Sequence, residues 1–89
     1  MGRKEKVTRI IDGDTFETNR RKNPVRLANV NSPEKGQRGA PQARKNLGEL
    51  IQGQEVYIDT VARDKYGRSV ANVKVGRRSV NKAMRERLT

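Results

Sequence analysis

Residues 25–34, Val25-Arg26-Leu27-Ala28-Asn29-Val30-Asn31-Ser32-Pro33-Glu34, decide the architecture, because the hydrophobic period changes directly after them. Val25 to Val30 reads as a strand, closed by the breaker run Asn31-Ser32-Pro33. Downstream, Ala40, Ala43, Leu47, Leu50 and Ile51 fall at i, i+3, i+7, i+10 and i+11, which is one face of a helix. Pro41 suits the first turn of that helix, and Gly53 sits just past its end. Upstream, Val7 to Ile11 reads as a strand, Asp12-Gly13 as a hairpin turn, and Thr15 to Thr18 as the return strand with Phe16 as its main core residue. Asn19 to Pro24 is a loop. After the helix, Glu55 to Val61 alternates Val56 and Ile58 against Glu55, Tyr57 and Asp59, the pattern of a half-exposed strand. Asp64 to Arg68 is a turn, Ser69 to Val75 a fifth strand, and Ser79 caps a final short helix carrying Val80, Ala83, Met84 and Leu88.

Three strands, a helix, two strands and a helix predict a mainly β (α+β) chain. The pattern is that of a five-stranded, partly open barrel of the OB type, with a helix after strand 3 and a short C-terminal helix. A flat open sheet carrying one helix on a face is the alternative. Residues 1–6 read as a flexible basic arm, and residues 7–89 as a single domain.

The 89 residues include 18 Leu, Ile, Val or Phe, about a fifth, so the core is small. The absence of cysteine excludes a disulfide framework and cysteine zinc sites. The absence of histidine removes His-dependent triads, zincin motifs and histidine general bases. Nothing reaches the length of a membrane span. The start, Gly2-Arg3-Lys4-Glu5-Lys6, leads into Val7-Thr8-Arg9 and not into an apolar stretch. No signal peptide is visible, so the expected location is cytoplasmic. Lys and Arg number 21 against 10 acids, a net charge of +11, with nine bases and two acids in residues 60–89. Such an excess points to a polyanionic partner, most simply DNA or RNA, and to neither a membrane nor an inferable protein partner. With only Phe16, Tyr57 and Tyr66 as aromatics, a multi-base stacking platform is poorly supplied.

Catalysis without Cys or His rests on carboxylates, arginines and a metal ion. Three stretches carry these groups. Ile11-Asp12-Gly13-Asp14-Thr15 alone is an ordinary Asp-Gly hairpin, and it lacks the ligand ladder of an EF-hand. Arg26 stands inside a strand on the face opposite Val25 and Leu27, a placement that costs desolvation unless the guanidinium meets an anion. Glu34 alone is a loop acid, and Asp64-Lys65-Tyr66-Gly67-Arg68 alone is a polar turn.

In this order and at this spacing, the chain from Val7 to Met84 resembles the staphylococcal nuclease-like family. The resemblance rests on Ile11 to Thr15, Val25-Arg26-Leu27 running to Pro33-Glu34, Leu50-Ile51 with Gly53 and Val56, Asp64 to Arg68, and Val80-Asn81. It implies an OB-type barrel that hydrolyses phosphodiester bonds in DNA or RNA with low sequence specificity, using one calcium ion. The implied roles are Asp14, Asn31 and Ser32 (through its carbonyl) as calcium ligands, Glu34 as general base, and Arg26 and Arg68 as the phosphate grip. Tyr66 and Lys65 then contact the nucleotide. Lys74, Arg77 and Arg78 are further expected nucleic-acid contacts, from their place in the basic C-terminal segment. The chain departs from the family at Asn31, where an Asp is usual, which lowers the charge of the calcium site and its expected affinity. Ser32 replaces Thr or Ala, and longer members continue past the position of Thr89 into another helix. A binding module that keeps the barrel without catalysis is the competing reading, favoured by Asn31. A basic protein bound to ribosomal RNA explains the charge but not the motifs.

Overall fold

The computed structural model describes residues 3–88, with side chains from residue 4 to residue 87. Six strands and two helices follow in the order β1 (Arg3–Asp12), β2 (Thr15–Thr18), β3 (Val25–Leu27), α1 (Ala40–Ile51), β4 (Glu55–Arg63), β5 (Ser69–Val75), β6 (Arg78–Ser79) and α2 (Val80–Leu88). Five of the strands close into a ring. β1 pairs antiparallel with β2 and with β4, β2 with β3, and β4 with β5. β3 then pairs parallel with β5 and shuts the ring. This is the OB-type barrel the sequence predicts; the flat sheet is excluded by the β3–β5 pairing. β6 is a two-residue return on β5 that the sequence reading did not separate from the turn before the last helix.

β1 closes the barrel by serving two partners. Its first half pairs with β4, Lys4 opposite Tyr57, and its second half with β2, Ile10 opposite Phe16. Register shifts between Val7 and Arg9 and between Ile10 and Asp12 supply the bend. The expectation of a flexible arm over residues 1–6 is therefore corrected for Arg3–Lys6, which belong to β1; Met1 and Gly2 lie outside the described residues. The physical reason is Glu5, which is buried yet fully partnered. Thr18 donates its hydroxyl at 2.7 Å, and Arg21 donates Nε to both carboxylate oxygens at 3.0 Å. Arg21 reaches on to Ser69 on β5 at 3.0 Å. A polar side chain thus takes an inward position that an apolar one would fill elsewhere, a substitution invisible to hydrophobic periodicity.

β3 ends at Leu27, three residues short of the expected strand. Asn29 adopts φ 59°, a left-handed conformation that Asn tolerates and that turns the chain off the sheet. The interior of the barrel holds Val7, Phe16, Val25, Leu27, Val56, Ile58, Ala71 and Val73, and it is covered by Leu47 and Ile51 of α1 and by Val80 and Met84 of α2. α1 starts with Pro41 in its first turn, and Gly53 follows its end at φ 73°. Ser79 caps α2 through the Lys82 N–H at 3.2 Å, as its sequence predicts.

Gly13 has a different role from the one its hairpin suggests. Its φ is not positive; the constraint is space. A Cβ there lies 2.6 Å from the Ala43 Cβ on α1 and 2.9 Å from the Ser32 side chain. Gly13→Ala is expected to destabilise the fold by about 1–3 kcal/mol through overpacking, read as a lower midpoint in urea. An unchanged midpoint contradicts the close approach.

Burial pushes the Glu5 carboxyl up, but the hydrogen bonds from Arg21 and Thr18 and the charges of Arg21 and Arg20 outweigh it and hold the group below the usual carboxylate range. A depressed folded-state pKa stabilises above the unfolded value, about 4.3 for Glu, and that contribution is lost as pH falls through the folded value. Glu5→Gln is therefore expected to be less stable than wild type at neutral pH, with the gap narrowing toward about pH 3. Urea melts at both pH values check this; a gap of constant size contradicts it.

Candidate active site

One end of the barrel carries an open cleft of about 540 Å³ lined by Asp12, Asp14, Arg26, Asn31, Ser32, Glu34, Lys35, Tyr66 and Arg68. The residues come from four separate stretches, each brought in by backbone geometry. The β1–β2 turn supplies Asp12 and Asp14. Asp14 is buried and also anchors the next strand, since its carbonyl accepts the Leu27 N–H at 2.8 Å. Arg26 is on β3, paired with Thr15 of β2 on one side and Val70 of β5 on the other. The β3–β5 register sets Ser69 against Val25, which brings Arg68, one residue earlier, to the same end as Arg26.

The loop after β3 supplies Asn31, Ser32, Glu34 and Lys35. Its path is fixed by Asn81, buried on α2. The Asn81 amide donates to the carbonyls of Ala28 and Ala71, both at 3.0 Å, and its oxygen accepts the Val73 N–H at 2.7 Å. One side chain thereby ties α2, β5 and the start of the site loop together. Further on, the Ser32 N–H donates to Asp14 Oδ2 at 3.4 Å, and the Glu34 N–H donates to Gln37 Oε1 at 2.8 Å. Glu34 itself is exposed where it lines the cleft.

Arg26 lies against two oxygens of the cleft. Its Nη2 is 3.5 Å from Asp14 Oδ2 and donates to Asn31 Oδ1 at 3.3 Å and to the Val30 carbonyl at 3.2 Å. Asp14 and Asn31 therefore converge on one cationic nitrogen. Arg68 is held from behind: its Nε donates to Asp64 Oδ2 at 2.6 Å. Its terminal nitrogens donate no hydrogen bond among the described residues. Asp64 Oδ1 accepts the N–H groups of Tyr66 and Arg68 at 3.0 and 2.9 Å, and Gly67 at φ 81° completes the turn. Burial raises the Asp64 pKa, but the Arg68 and Tyr66 hydrogen bonds and the Arg68 charge prevail and hold it below its ordinary value. Tyr66 is 69% exposed, with the Arg68 guanidinium 5.2 Å and the Lys65 ammonium 5.2 Å from its ring centre, so an aromatic face and two cations are presented together.

Three acids (Asp12, Asp14, Glu34) and three bases (Arg26, Lys35, Arg68) face each other in the cleft. Cations are available to an anion, and carboxylates to a water molecule or a metal ion. The side-chain donors fit calcium in kind, since the Asp14 carboxylate and the Asn31 amide both offer hard oxygens. Among the described residues no three acidic side chains lie together as a ready cation cluster. The sequence reading gave no site role to Asp12, which it quoted only within the hairpin motif, or to Lys35, which adjoins Glu34. Of its other expected contacts, Lys65 adjoins the cleft through Tyr66. Lys74, Arg77 and Arg78 do not line it; Lys74 is six residues along β5 from Arg68, about 20 Å at 3.3 Å per residue.

The pattern of the family described as "Staphylococcal nuclease homologue" matches residues 24–87. The chain is 42% identical over 69 residues to the micrococcal nuclease of Shigella flexneri, an alignment that covers 75% of this chain and 40% of that protein. Protein ParB of Escherichia coli is 39% identical over 69 residues, covering 75% of this chain and 39% of its own. An uncharacterized endonuclease of Haemophilus influenzae is 32% identical over 82 residues, covering 89% and 46%. The chain thus spans less than half the length of the curated relatives it matches. No helix among the described residues is long and apolar enough to cross a membrane. With the family pattern extending through β3, both helices and the Arg68 turn, this chain belongs to the staphylococcal nuclease homologue family.

Proposed function

We propose that the protein is a nuclease that hydrolyses phosphodiester bonds in DNA or RNA, dependent on calcium and with low sequence specificity. The observation that carries this reading is the cleft itself: two arginines, a solvent-facing glutamate and a partnered aspartate on one side of the barrel. Arg26 and Arg68 grip the phosphate. Their planar forks bond two oxygens at once and stay charged at any working pH, which suits the extra negative charge of the transition state. Glu34 orients the attacking water and accepts its proton as the new P–O bond forms and one ester P–O bond breaks; solvent protonates the leaving alkoxide. Tyr66 and Lys65 contact the nucleotide, and Lys74, Arg77 and Arg78 add sequence-independent attraction. Asp14, Asn31 and the Ser32 carbonyl are the proposed calcium ligands. When bound there, the ion neutralises phosphate charge and acidifies the attacking water. Asp64 is a positioning residue, aiming Arg68 into the cleft.

A second reading, a nucleic-acid-binding module without catalysis, is favoured by one contact. Arg26 already occupies the space between Asp14 and Asn31 as an internal cation.

Incubation with single-stranded DNA and RNA, with calcium or with a chelator, separates the two. Calcium-dependent cleavage is expected, with Glu34→Gln retaining binding while losing at least about 100-fold in kcat. Asn31→Asp adds a carboxylate to the metal site and is expected to lower the calcium concentration needed for half-maximal cleavage. No cleavage by wild type, with cleavage gained in Asn31→Asp, overturns the nuclease reading in favour of the binding module.

A further inference from the structure

The cleft is not an isolated hollow. It adjoins a second groove through shared walls at Asp12 and Lys35, and that groove adjoins a third through Pro41 and Arg44. The third runs between β1 and the flank of α1 and carries three cations, Arg9, Arg44 and Lys45, against one acid, Glu49, which Arg87 neutralises at 3.5 Å. We propose that these grooves form one basic track along α1, in which a single nucleic-acid strand lies after leaving the cleft. The proposal rests on the reading of the cleft as a phosphodiester site and extends it to the bound length of the substrate.

Charge and chemistry select the occupant. Lys35, Arg44 and Lys45 are exposed, and among the described residues no carboxylate pairs with any of them. Three cations left without an internal carboxylate partner on the walls of adjoining grooves match a chain of phosphates. The third groove has no aromatic side chain, so it grips backbone and does not read bases, consistent with low sequence specificity. The 12 residues of α1 extend about 18 Å, room for a few nucleotides, and OB folds engage about 4–16. The β1–β2 turn packs directly on α1 where Gly13 meets Ala43, so the helix flank that carries the track lies against the turn that borders the cleft.

The test is binding as a function of strand length, by fluorescence anisotropy in the presence of a chelator, so that no cleavage enters the measurement. Two single strands are compared, of about 3 and about 12 nucleotides, one below and one within the OB range. The double variant Arg44→Ala with Lys45→Ala alters exposed helix positions to the best helix former, so the fold is retained, which circular dichroism verifies. It is expected to bind the longer strand about tenfold more weakly, with the salt slope reduced by about 0.7 for each cation removed. Affinity for the shorter strand stays within about twofold, because the cleft alone holds it. The control, Lys74→Ala with Arg78→Ala, removes the same charge away from the track and weakens both lengths by one common factor. Equal losses for both lengths in the Arg44 and Lys45 variant, or no loss at all, overturn the track. A length dependence that instead follows Lys74 and Arg78 moves the strand to the far end of β5 and also overturns it. Because the readout is binding, a wild type that cleaves nothing sinks the nuclease reading and leaves this result standing.

Discussion

The parallel pairing of β3 with β5 is the contact on which both the fold and the site depend. β3 is three residues long, yet it is bonded on both sides, to β2 and to β5, and without it the sheet stays open. A parallel pair requires a long crossover, and residues 28–68 provide it by running through the site loop, α1 and β4. The register of the pair has a chemical consequence. Val25 meets Ser69, so the arginine inside the first strand and the arginine just before the second arrive at one end of the barrel. Local hydrogen bonds reinforce it, with the Ser69 N–H on the Pro24 carbonyl at 3.2 Å and the Ala28 N–H on the Ala71 carbonyl at 2.8 Å.

Two buried groups hold the remaining parts of the site against that frame. Asn81 bridges Ala28, Ala71 and Val73, and all three of its side-chain hydrogen bonds go to backbone, as suits a structural tie. Gly13 lets the β1–β2 turn, α1 and Ser32 approach more closely than any other residue permits. Between β1, the loop after β2 and the start of β5, Glu5 and Arg21 replace apolar packing with a charge pair partnered by Thr18 and Ser69. A chain with so little apolar material thus closes its barrel partly with hydrogen bonds. Desolvation offsets much of the attraction within such a buried pair, whereas losing one partner would leave the other charge buried and unpaired.

Much of this was legible in the sequence. Helical and strand periods located α1, β2, β4 and β5, and the breakers at Asn31 to Pro33 marked the change between them. Family resemblance brought Asp14, Arg26, Glu34, Tyr66 and Arg68 together as a set, and they line a single cleft. What stayed hidden had physical causes. Glu5 fills a core position that no hydrophobic pattern flags, so the strand from Arg3 to Lys6 read as a loose arm. The left-handed turn at Asn29 shortened β3, because Asn gives no more than a preference for that conformation. Asp12 and Lys35 were passed over because nothing in their local sequence shows which way a side chain faces.

The central claim is that the β3–β5 register makes Arg26 and Arg68 one device acting on one phosphate. A double-mutant cycle on kcat/KM, using Arg26→Ala, Arg68→Ala and the pair, tests it most directly. The account predicts strong coupling, with the double variant losing about as much as the more damaging single one, since groups that act as a unit are not additive. Losses that multiply in the double variant contradict it, because they mean that the two arginines work independently.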